Sequence, residues 1–566
     1  MEKRIFLAVV ISIALLGLWS WGLPKFFPEL AKKPEPAKVE TATKTTTTPS
    51  TTATTDSGAA PAPPASTVTT PISVPQVAAT APVSAERVQT SRIDTPEFTA
   101  VFSNRGAQLI SFELKNYKRK DVPTQNVDLV RTREPNRADF PFAFEPANSA
   151  LKARLNSALY SVSDRMDRGE RVLEYRYSDG QHTATKTFRF DPARPYLFDY
   201  TTSIQPPTPY RVVIGPGIRN IGPEEVDSAA VITGNGVVQS EGKFDVIPRE
   251  KGDAFQVLEQ IDYIGIEDNY FLTVLRPSTV GQGVLDREQF TDLATKKKRQ
   301  DFFAGVNAPA NGIATGNAFF GPKETKLLDA YGFGEALQFG WFGLIARYFL
   351  IALVWINQYT RNYGFAIIVL TVIIKIVLYP LQHKSNVSMK KMQRVGPKIE
   401  QIKAKYKKSK TDTEQRNKMN MEMMQLYQKE GINPMAGCLP LVLQLPILWG
   451  FYNLLSRAIE LRGAEWMLWI KDLSEKDPTY VLPILMTATM FLQTYLTPAT
   501  GDPAQRKMFL IMPLVFGFLF KDFPSGLVLY WLVQNILTIV QMLIMNKWWK
   551  DHPDDLVKEL KDDEKK

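Results

Sequence analysis

The sequence predicts a polytopic α-helical membrane protein with six transmembrane helices and a large extracytoplasmic antiparallel β-sandwich domain. Three observations indicate this fold class. Apolar runs occupy the extreme N-terminus and the chain after residue 340, although the mean hydropathy of the whole chain is −0.16. Apolar and polar residues alternate in much of 95–325, which is typical of strands with one buried face. The preceding segment is rich in Thr, Ala, Pro and Ser, as in a disordered linker.

The first predicted element is an apolar stretch that follows Lys3 and Arg4. It is longer than the apolar region of an ordinary signal peptide, and it ends near tryptophans rather than at a small-residue cleavage site. We interpret residues 1–24 as a transmembrane signal anchor with a cytoplasmic N-terminus. A cleaved signal peptide is the alternative. Residues 25–94 are then predicted to be the disordered linker.

Residues 95–325 are predicted to form the β-sandwich domain. Within them, residues 172–190 have the pattern of a hairpin, because two alternating runs flank an Asp-Gly turn. His182 lies in this hairpin without an evident catalytic partner, and the domain has no Gly-rich phosphate loop and no nucleophile elbow. The single cysteine, Cys438, excludes an intramolecular disulfide. With only three scattered histidines, neither a metal nor a cofactor is expected.

Five apolar segments after residue 362 are predicted to cross the membrane: 363–382, 435–458, 480–497, 507–520 and 525–545. The loop 384–431 contains 13 Lys or Arg against 5 Asp or Glu, so the positive-inside rule places it in the cytoplasm. Because the N-terminus is also inside, only one crossing fits between the β domain and this loop. We therefore interpret the apolar stretch in 326–362 as an external interfacial helix, and residues 547–566 as a cytoplasmic tail.

The cytoplasmic loop is predicted to be a helical hairpin. Its first half has the three-and-four spacing of a heptad seam at Met392, Val395, Ile399, Ile402 and Tyr406. Lysines at or near the tip are Lys405, Lys407, Lys408 and Lys410. Such a tip suits anionic lipid headgroups or ribosomal RNA, because phosphate contacts need charge rather than sequence readout. The alternative is a solvated basic hairpin that only fixes the topology.

Lys375 lies inside the apolar segment 363–382, where a charge costs roughly 2.5–3.5 kcal/mol on insertion scales. One explanation is a lysine that snorkels to the inner headgroups. However, Thr371 lies one turn away, and polar residues interrupt the other spans at Gln444, Asn453, Gln493, Thr494, Gln534, Asn535 and Thr538. The late spans contain no acidic residue that could pair with the lysine. The pattern therefore predicts a hydrated pocket, open to the cytoplasm, with one fixed positive charge.

Several motifs in this region point to a family: Tyr379-Pro380-Leu381, Lys398-Ile399, Asn433-Pro-Met-Ala-Gly-Cys-Leu-Pro440, Gln444-Leu-Pro-Ile447 and Phe523-Pro-Ser-Gly-Leu-Val-Leu-Tyr-Trp531. In these motifs the chain resembles the YidC/Oxa family of membrane protein insertases. The anchor, the linker and the large external domain resemble the Gram-negative form, so the resemblance covers nearly the whole chain.

The resemblance implies a five-helix insertase core at 363–546 with a groove that is open to the cytoplasm and lipid but closed externally. In that family a positively charged groove residue, usually arginine, attracts acidic residues in the outgoing part of a substrate, and Lys375 occupies its position. The implied groove residues are Lys375, Thr371, Gln444, Gln493, Asn535 and Trp531. The family also guides substrates along apolar residues, here Leu445, Leu448, Tyr530 and Trp531. Lysine departs from the pattern because it can lose its proton when buried, whereas arginine cannot.

By the same resemblance we expect a bacterial inner-membrane insertase and folding chaperone, not an enzyme, with its large domain in the periplasm and both termini in the cytoplasm. The implied partners are nascent membrane proteins, the ribosome, Sec translocon components and anionic lipids, without sequence-specific nucleic acid. Two other functions predict different features. A secondary transporter with a midplane polar site predicts inverted repeats, which 363–546 does not display. A membrane-tethered carbohydrate sensor leaves five spans without a role.

Overall fold

The computed structural model describes residues 81–131, 140–219, 234–249, 255–291, 298–406, 412–432, 439–497 and 503–551. The predicted signal anchor, most of the predicted linker and most of the predicted tail lie outside these residues. So do three of the tip lysines, Lys407, Lys408 and Lys410.

The described residues of the N-terminal half form antiparallel strands. Their bounds are β1 Thr90–Asp94, β2 Phe98–Ser103, β3 Gln108–Lys118, β4 Asn126–Asp128, β5 Ala143–Pro146, β6 Ser161–Asp167, β7 Glu170–Ser178, β8 Thr183–Phe190, β9 Leu197–Gln205, β10 Tyr210–Ile214, β11 Asn235–Ser240, β12 Lys243–Ile247, β13 Phe255–Glu267, β14 Phe271–Pro277, β15 Gly281–Thr291, β16 Lys298–Asn307 and β17 Ile313–Pro322. We call residues 90–322 the β domain.

The strands of the β domain form two sheets. The smaller sheet has the order β1-β2-β3-β4. The larger has the order β5-β10-β16-β15-β13-β14-β17-β9-β8-β7-β6, with β11 paired to β13 and β12 paired to β11. Each pair in both sheets is antiparallel, so the predicted class of this domain is confirmed. The predicted hairpin is also present, with β7 paired to β8 from Arg171↔Phe190 to Ser178↔Thr183.

Aromatic side chains fill the space between the two sheets. Phe102 of β2 lies 4.5 Å from Phe188 of β8 between ring centroids, and Phe112 of β3 lies 5.4 Å from Phe320 of β17. These rings belong to one continuous buried cluster, and aromatic pairs at such distances stabilise a core beyond their buried area. The end of the predicted linker needs a correction. Residues 90–94 pair with β2 as β1, because Ile93 is apolar and packs into this core.

The helices of the described chain are α1 Ser149–Ser157, α2 Thr325–Tyr331, α3 Gly343–Thr360, α4 Tyr363–Lys405, α5 Thr413–Lys429, α6 Leu439–Arg457, α7 Val481–Leu496, α8 Pro503–Phe520 and α9 Ser525–Asp551. By length and composition, α4 and α9 could each cross a membrane, while α7 and residues 509–520 are shorter apolar helices. The count of six spans therefore stays a prediction. Helix α4 has 43 residues, or about 65 Å at 1.5 Å per residue, and it joins a predicted span to the first arm of the hairpin.

Helices α3, α4 and α6–α9 form what we call the helical core. Helix α9 contacts α4, α6 and α7, and α3 packs against α4 and α6. A line of rings crosses this core: Phe349 of α3 lies 4.8 Å from Phe451 of α6, which stacks on Tyr530 of α9 at 4.5 Å. Helix α9 therefore contributes side chains to contacts on several sides of the core.

Large apolar side chains cover the outside of the helical core. On α3 they follow one face at Leu344, Tyr348, Ile351, Trp355 and Tyr359, and on α4 at Phe365, Val369, Ile373, Ile376 and Val377. Each is at least 39% exposed. Soluble proteins rarely expose apolar patches of this extent, so both surfaces have the character of lipid-facing surfaces.

The loop between α6 and α7 closes one end of the helical core. The carboxylate of Asp477 is buried and accepts hydrogen bonds from the backbone N–H groups of Thr479 and Leu482. The backbone N–H of Gly526, at the start of α9, donates to the carbonyl of Leu473 at 3.0 Å. These hydrogen bonds fix the turn at Asp477 and attach the loop to the start of α9.

The same loop joins the helical core to the β domain. Ile459 belongs to the buried cluster of the β domain, and the Asn269 amide donates to the Ser456 carbonyl at 3.2 Å. Helix α2 begins at Thr325 without a side-chain cap from Glu324, the residue before it. Instead, Glu460 Oε1 accepts hydrogen bonds from the Thr325 backbone N–H at 3.2 Å and from its hydroxyl at 3.1 Å. The loop therefore caps a helix that follows the β domain.

The protonation of Glu460 should affect this contact. Burial raises the pKa of its carboxyl, and the neighbouring Glu324 carboxyl raises it further. Among the described residues, Glu460 Oε2 is buried without a hydrogen-bond partner. A group whose pKa is raised by folding stabilises the folded state below its unfolded pKa, and this stability is lost as the pH rises through the folded pKa.

We expect Glu460→Gln to flatten the pH dependence of the unfolding midpoint between the ordinary carboxyl pKa and neutral pH, because Gln is neutral and can still accept from Thr325. The midpoint would be measured on detergent-purified protein across that pH range. Glu465→Gln, at an exposed carboxylate of the same loop, is the matched control and should leave the profile unchanged. Equal profiles for wild type and Glu460→Gln would show that this carboxyl does not titrate in the contact.

Candidate functional site

Lys375 lies on the buried face of α4. Its side chain is 8% exposed, and its Nζ donates a hydrogen bond of 2.8 Å to the hydroxyl of Thr538 on α9. The apolar row of α4 at Ile373, Ile376 and Val377 is exposed and lies on another side of the helix. Within the described part of the chain, Lys375 forms no ion pair with a carboxylate. The structure thus places the ammonium group between two helices.

Polar residues recur along α9 where it meets Lys375. We call Gln534, Thr538 and Gln541 the polar row, since their spacing of four and three keeps them on one helix face. The Thr538 hydroxyl also donates to the Gln534 carbonyl at 2.7 Å. The side-chain oxygens of Gln534 and Gln541 are buried and have no hydrogen-bond partner among the described residues. Buried amide oxygens normally have partners, so these two positions favour bound water.

The other predicted groove residues are distributed around α9 rather than gathered at Lys375. Thr371 is fully buried, and its hydroxyl donates to the Ile367 carbonyl of its own helix at 2.6 Å. Asn535 donates to the Thr489 hydroxyl of α7 at 3.3 Å, on a different side of α9 from the polar row. Gln493, also on α7, has a buried side-chain oxygen without a partner among the described residues.

The predicted apolar path is only partly on the surface. Leu445 of α6 is 51% exposed and Leu448 is partly buried. Tyr530 is fully buried against Phe451 and accepts a hydrogen bond from the Gln444 amide. Trp531 packs on rings of α8 and is 8% exposed. Tyr530 and Trp531 thus hold helices together, whereas Leu445 is accessible.

The hairpin has part of the predicted seam. Val395 and Ile399 are buried against Ile432, with Met392 of α4 and Met423 and Leu426 of α5 packed beside them, whereas Ile402 and Tyr406 are not in this cluster. Two ion pairs fix the alignment of its arms: Lys398 with Glu430 at 2.6 Å, and Lys405 with Glu422 at 2.9 Å. Of the four predicted tip lysines, Lys405 is therefore paired within the hairpin, and the others lie outside the described residues.

Gln534 and Thr538 are polar interruptions of the last predicted span, but the groove predicted from the sequence includes neither of them, nor Gln541. A signal was available, since the three residues share one face of a helix at i, i+4 and i+7. Their proximity to Lys375 was not available, because 163 residues separate Lys375 from Thr538.

Known proteins are similar to both the β domain and the helical core. One family model, described as 60Kd inner membrane protein, matches residues 355–552, and a second, described as YidC periplasmic domain, matches residues 90–352. The membrane protein insertase YidC of Geobacter metallireducens is 33% identical over 577 residues, which cover 97% of this chain and 98% of that protein. The chain belongs to the YidC family of membrane protein insertases.

Other YidC relatives also match most of this chain. The membrane protein insertase YidC of Syntrophus aciditrophicus is 33% identical, with 97% of this chain and 100% of that protein covered. A crystal structure of an active YidC insertase with its first transmembrane domain resolved is 20% identical, with a TM-score of 0.37, and covers 82% of this chain and 94% of that one. YidC is an inner-membrane protein family with a periplasmic domain, so the expected family, membrane and domain are confirmed at that level.

Proposed function

We propose that this chain inserts integral inner-membrane proteins and assists their folding, with Lys375 as a fixed charge that attracts acidic residues of the outgoing substrate segment. The observation that supports the proposal most is the position of this lysine. Its ammonium lies between α4 and α9 beside the polar row, and no carboxylate among the described residues pairs with it. A buried charge without a counter-ion is expensive, so its presence favours a role that needs a free positive charge.

Water around Lys375 is part of the proposal. An ammonium group has three donors, and one of them has an acceptor in Thr538. The unpartnered side-chain oxygens of Gln534 and Gln541 offer further acceptors for water on the same face of α9. A hydrated, positively charged groove of this kind lowers the barrier for a polar segment, because that segment need not be fully desolvated.

The proposed topology has six spans, cytoplasmic termini and a periplasmic β domain, with α3 as an interfacial helix on the periplasmic side. The exposed apolar row of α3 supports contact with the membrane interface, since it includes Trp355, Tyr348 and Tyr359. The proposed partners are nascent membrane proteins, the ribosome, Sec translocon components and anionic lipids. No bond-making chemistry is proposed. The unbroken α4 and α9 also favour an insertase over a transporter, whose midplane sites use interrupted helices.

Reconstitution into liposomes tests the proposed function. The purified protein should integrate a small phage-coat-like membrane protein without ATP, and the translocated segment should become resistant to added protease. Liposomes without the protein are the control. Failure of the folded, correctly oriented protein to produce the protected fragment would contradict the proposal.

The basic tip of the hairpin should act in substrate capture rather than in stability. Replacing Lys407, Lys408 and Lys410 by Gln should reduce binding of ribosome–nascent-chain complexes severalfold, because phosphate contacts depend on charge. The unfolding midpoint should stay the same. Lys398→Gln is the matched control, since that lysine is paired with Glu430 at the other end of the hairpin. Equal binding by the triple variant and the wild type would refute the assignment.

A further inference from the structure

Lys375 and Thr538 form a direct polar contact between α4 and α9. The ammonium donates to the Thr538 hydroxyl at 2.8 Å, and that hydroxyl donates its own proton to the Gln534 carbonyl at 2.7 Å. A hydroxyl has one proton, so the second hydrogen bond leaves its lone pairs for the ammonium. Thr538 is therefore an acceptor whose orientation is fixed by the backbone of α9.

A lysine in this position has a competing arrangement. Its charge is compact and sits at the end of a flexible four-carbon stem, so the side chain can extend along the helix toward the headgroups. Lys375 lies seven residues, or about 10 Å, from the end of its predicted span at Gln382. The acceptor on α9 therefore decides whether the charge stays between the helices.

We propose that Thr538 is a positioning residue, which holds the Lys375 ammonium against α9 where the outgoing substrate segment meets it. This inference rests on the proposed insertase function. Gln534 and Gln541 lie one turn to either side of Thr538, and their unpartnered oxygens keep the site polar. A substrate carboxylate at this place can accept a hydrogen bond from the Lys375 ammonium. The attraction between the two opposite charges strengthens that bond. Without the Thr538 hydroxyl the Lys375 side chain adopts several conformations, and the preference for acidic substrates falls.

Thr538→Val tests this role, since Val keeps the branched shape but removes the acceptor. Insertion into liposomes would be measured by protease protection for two substrates that differ only in acidic residues of the outgoing segment. The acidic-to-neutral insertion ratio should fall roughly threefold to tenfold, the range expected for the loss of one ordinary hydrogen bond. Thr538→Ser keeps the hydroxyl and should therefore keep the wild-type ratio. Thr487→Val is the matched control, because the Thr487 hydroxyl donates to the Pro483 carbonyl of its own helix at 2.7 Å.

Three results would overturn the inference. The first is an unchanged ratio in Thr538→Val. The second is an equal loss of insertion for both substrates, which would indicate a packing role for Thr538. The third is a further fall in the ratio when Thr538→Val is added to Lys375→Ala, because Thr538 would then act without the lysine. The unfolding midpoint in detergent identifies variants that fail to fold, and Thr538→Ala then serves as the second variant. If the wild-type protein inserts neither substrate, the proposed function is refuted. If the wild type prefers the acidic substrate and Thr538→Val shows the same preference, only this inference is refuted.

Discussion

Lys375→Glu should reduce insertion of a substrate with an acidic outgoing segment by roughly tenfold or more, because like charges in a partly desolvated site repel strongly. Lys375→Arg should retain function, since charge and approximate reach are kept. Lys375→Ala should be intermediate and should spare substrates whose outgoing segments are neutral. A lysine that merely anchors its helix predicts a different pattern, namely a general loss that follows the amount of folded protein and is independent of substrate charge.

The measurement is protease protection with the acidic and neutral substrate pair at equal abundance of each variant. Lys384→Glu is the matched control, because it makes the same change of charge at an exposed position of the same helix. It should leave the insertion of both substrates nearly unchanged. If Lys375→Glu impaired both members of the pair equally, attraction of acidic residues would not be the role of Lys375.

Deletion of α3 should abolish insertion, whereas deletion of the complete β domain should leave most of it intact. Helix α3 buries Ala346, Leu350, Leu353 and Ile356 against α4 and α6. Each large buried side chain contributes roughly 2–5 kcal/mol on truncation, so loss of the helix should destabilise the helical core that holds Lys375. The β domain contributes no residue to the contact between Lys375 and α9.

The boundaries of the β-domain deletion decide its outcome. A cut at 95–300 would leave β17 without β9 and β14, and would expose unpaired strand edges that favour aggregation. Removal of 90–322 takes out both sheets whole and keeps α2 with its cap from Glu460. Membrane amount and protease-protected substrate would be measured for the deletions of 90–322 and 343–360. A complete loss of insertion by the shorter protein, folded and in the membrane, would contradict the division of roles.

The sequence was sufficient for features that depend on local periodicity. Alternation predicted the hairpin of β7 and β8, and heptad spacing predicted the seam of Val395 and Ile399. It could not predict contacts that depend on how distant helices are aligned. Thr371 shares a helix face with Lys375, yet the hydrogen bond of its hydroxyl among the described residues goes to the Ile367 carbonyl of its own helix and not to α9.

Pairing across the fold also changed the interpretation of individual residues. The sequence groups Lys405 with three other lysines at a basic hairpin tip, whereas in the structure Glu422 pairs with it across the two arms. Tyr530 matched a residue of an apolar path, but it is fully buried on Phe451. Both outcomes depend on neighbours far apart in sequence, which a periodic pattern in one segment does not identify.

Exchanging the charges of insertase and substrate tests whether Lys375 attracts acidic residues of the outgoing segment. Lys375→Glu would be paired with a substrate whose outgoing acidic residues are replaced by lysines. Insertion would be measured for wild type and Lys375→Glu, each with the acidic and the lysine-bearing substrate. Insertion is expected to fall in the two like-charge combinations and to return in the exchanged pair, because attraction depends on opposite sign and not on lysine itself. A Lys375→Glu variant that inserts the lysine-bearing and the acidic substrate equally poorly, although it is folded and as abundant as the wild type, would contradict this expectation.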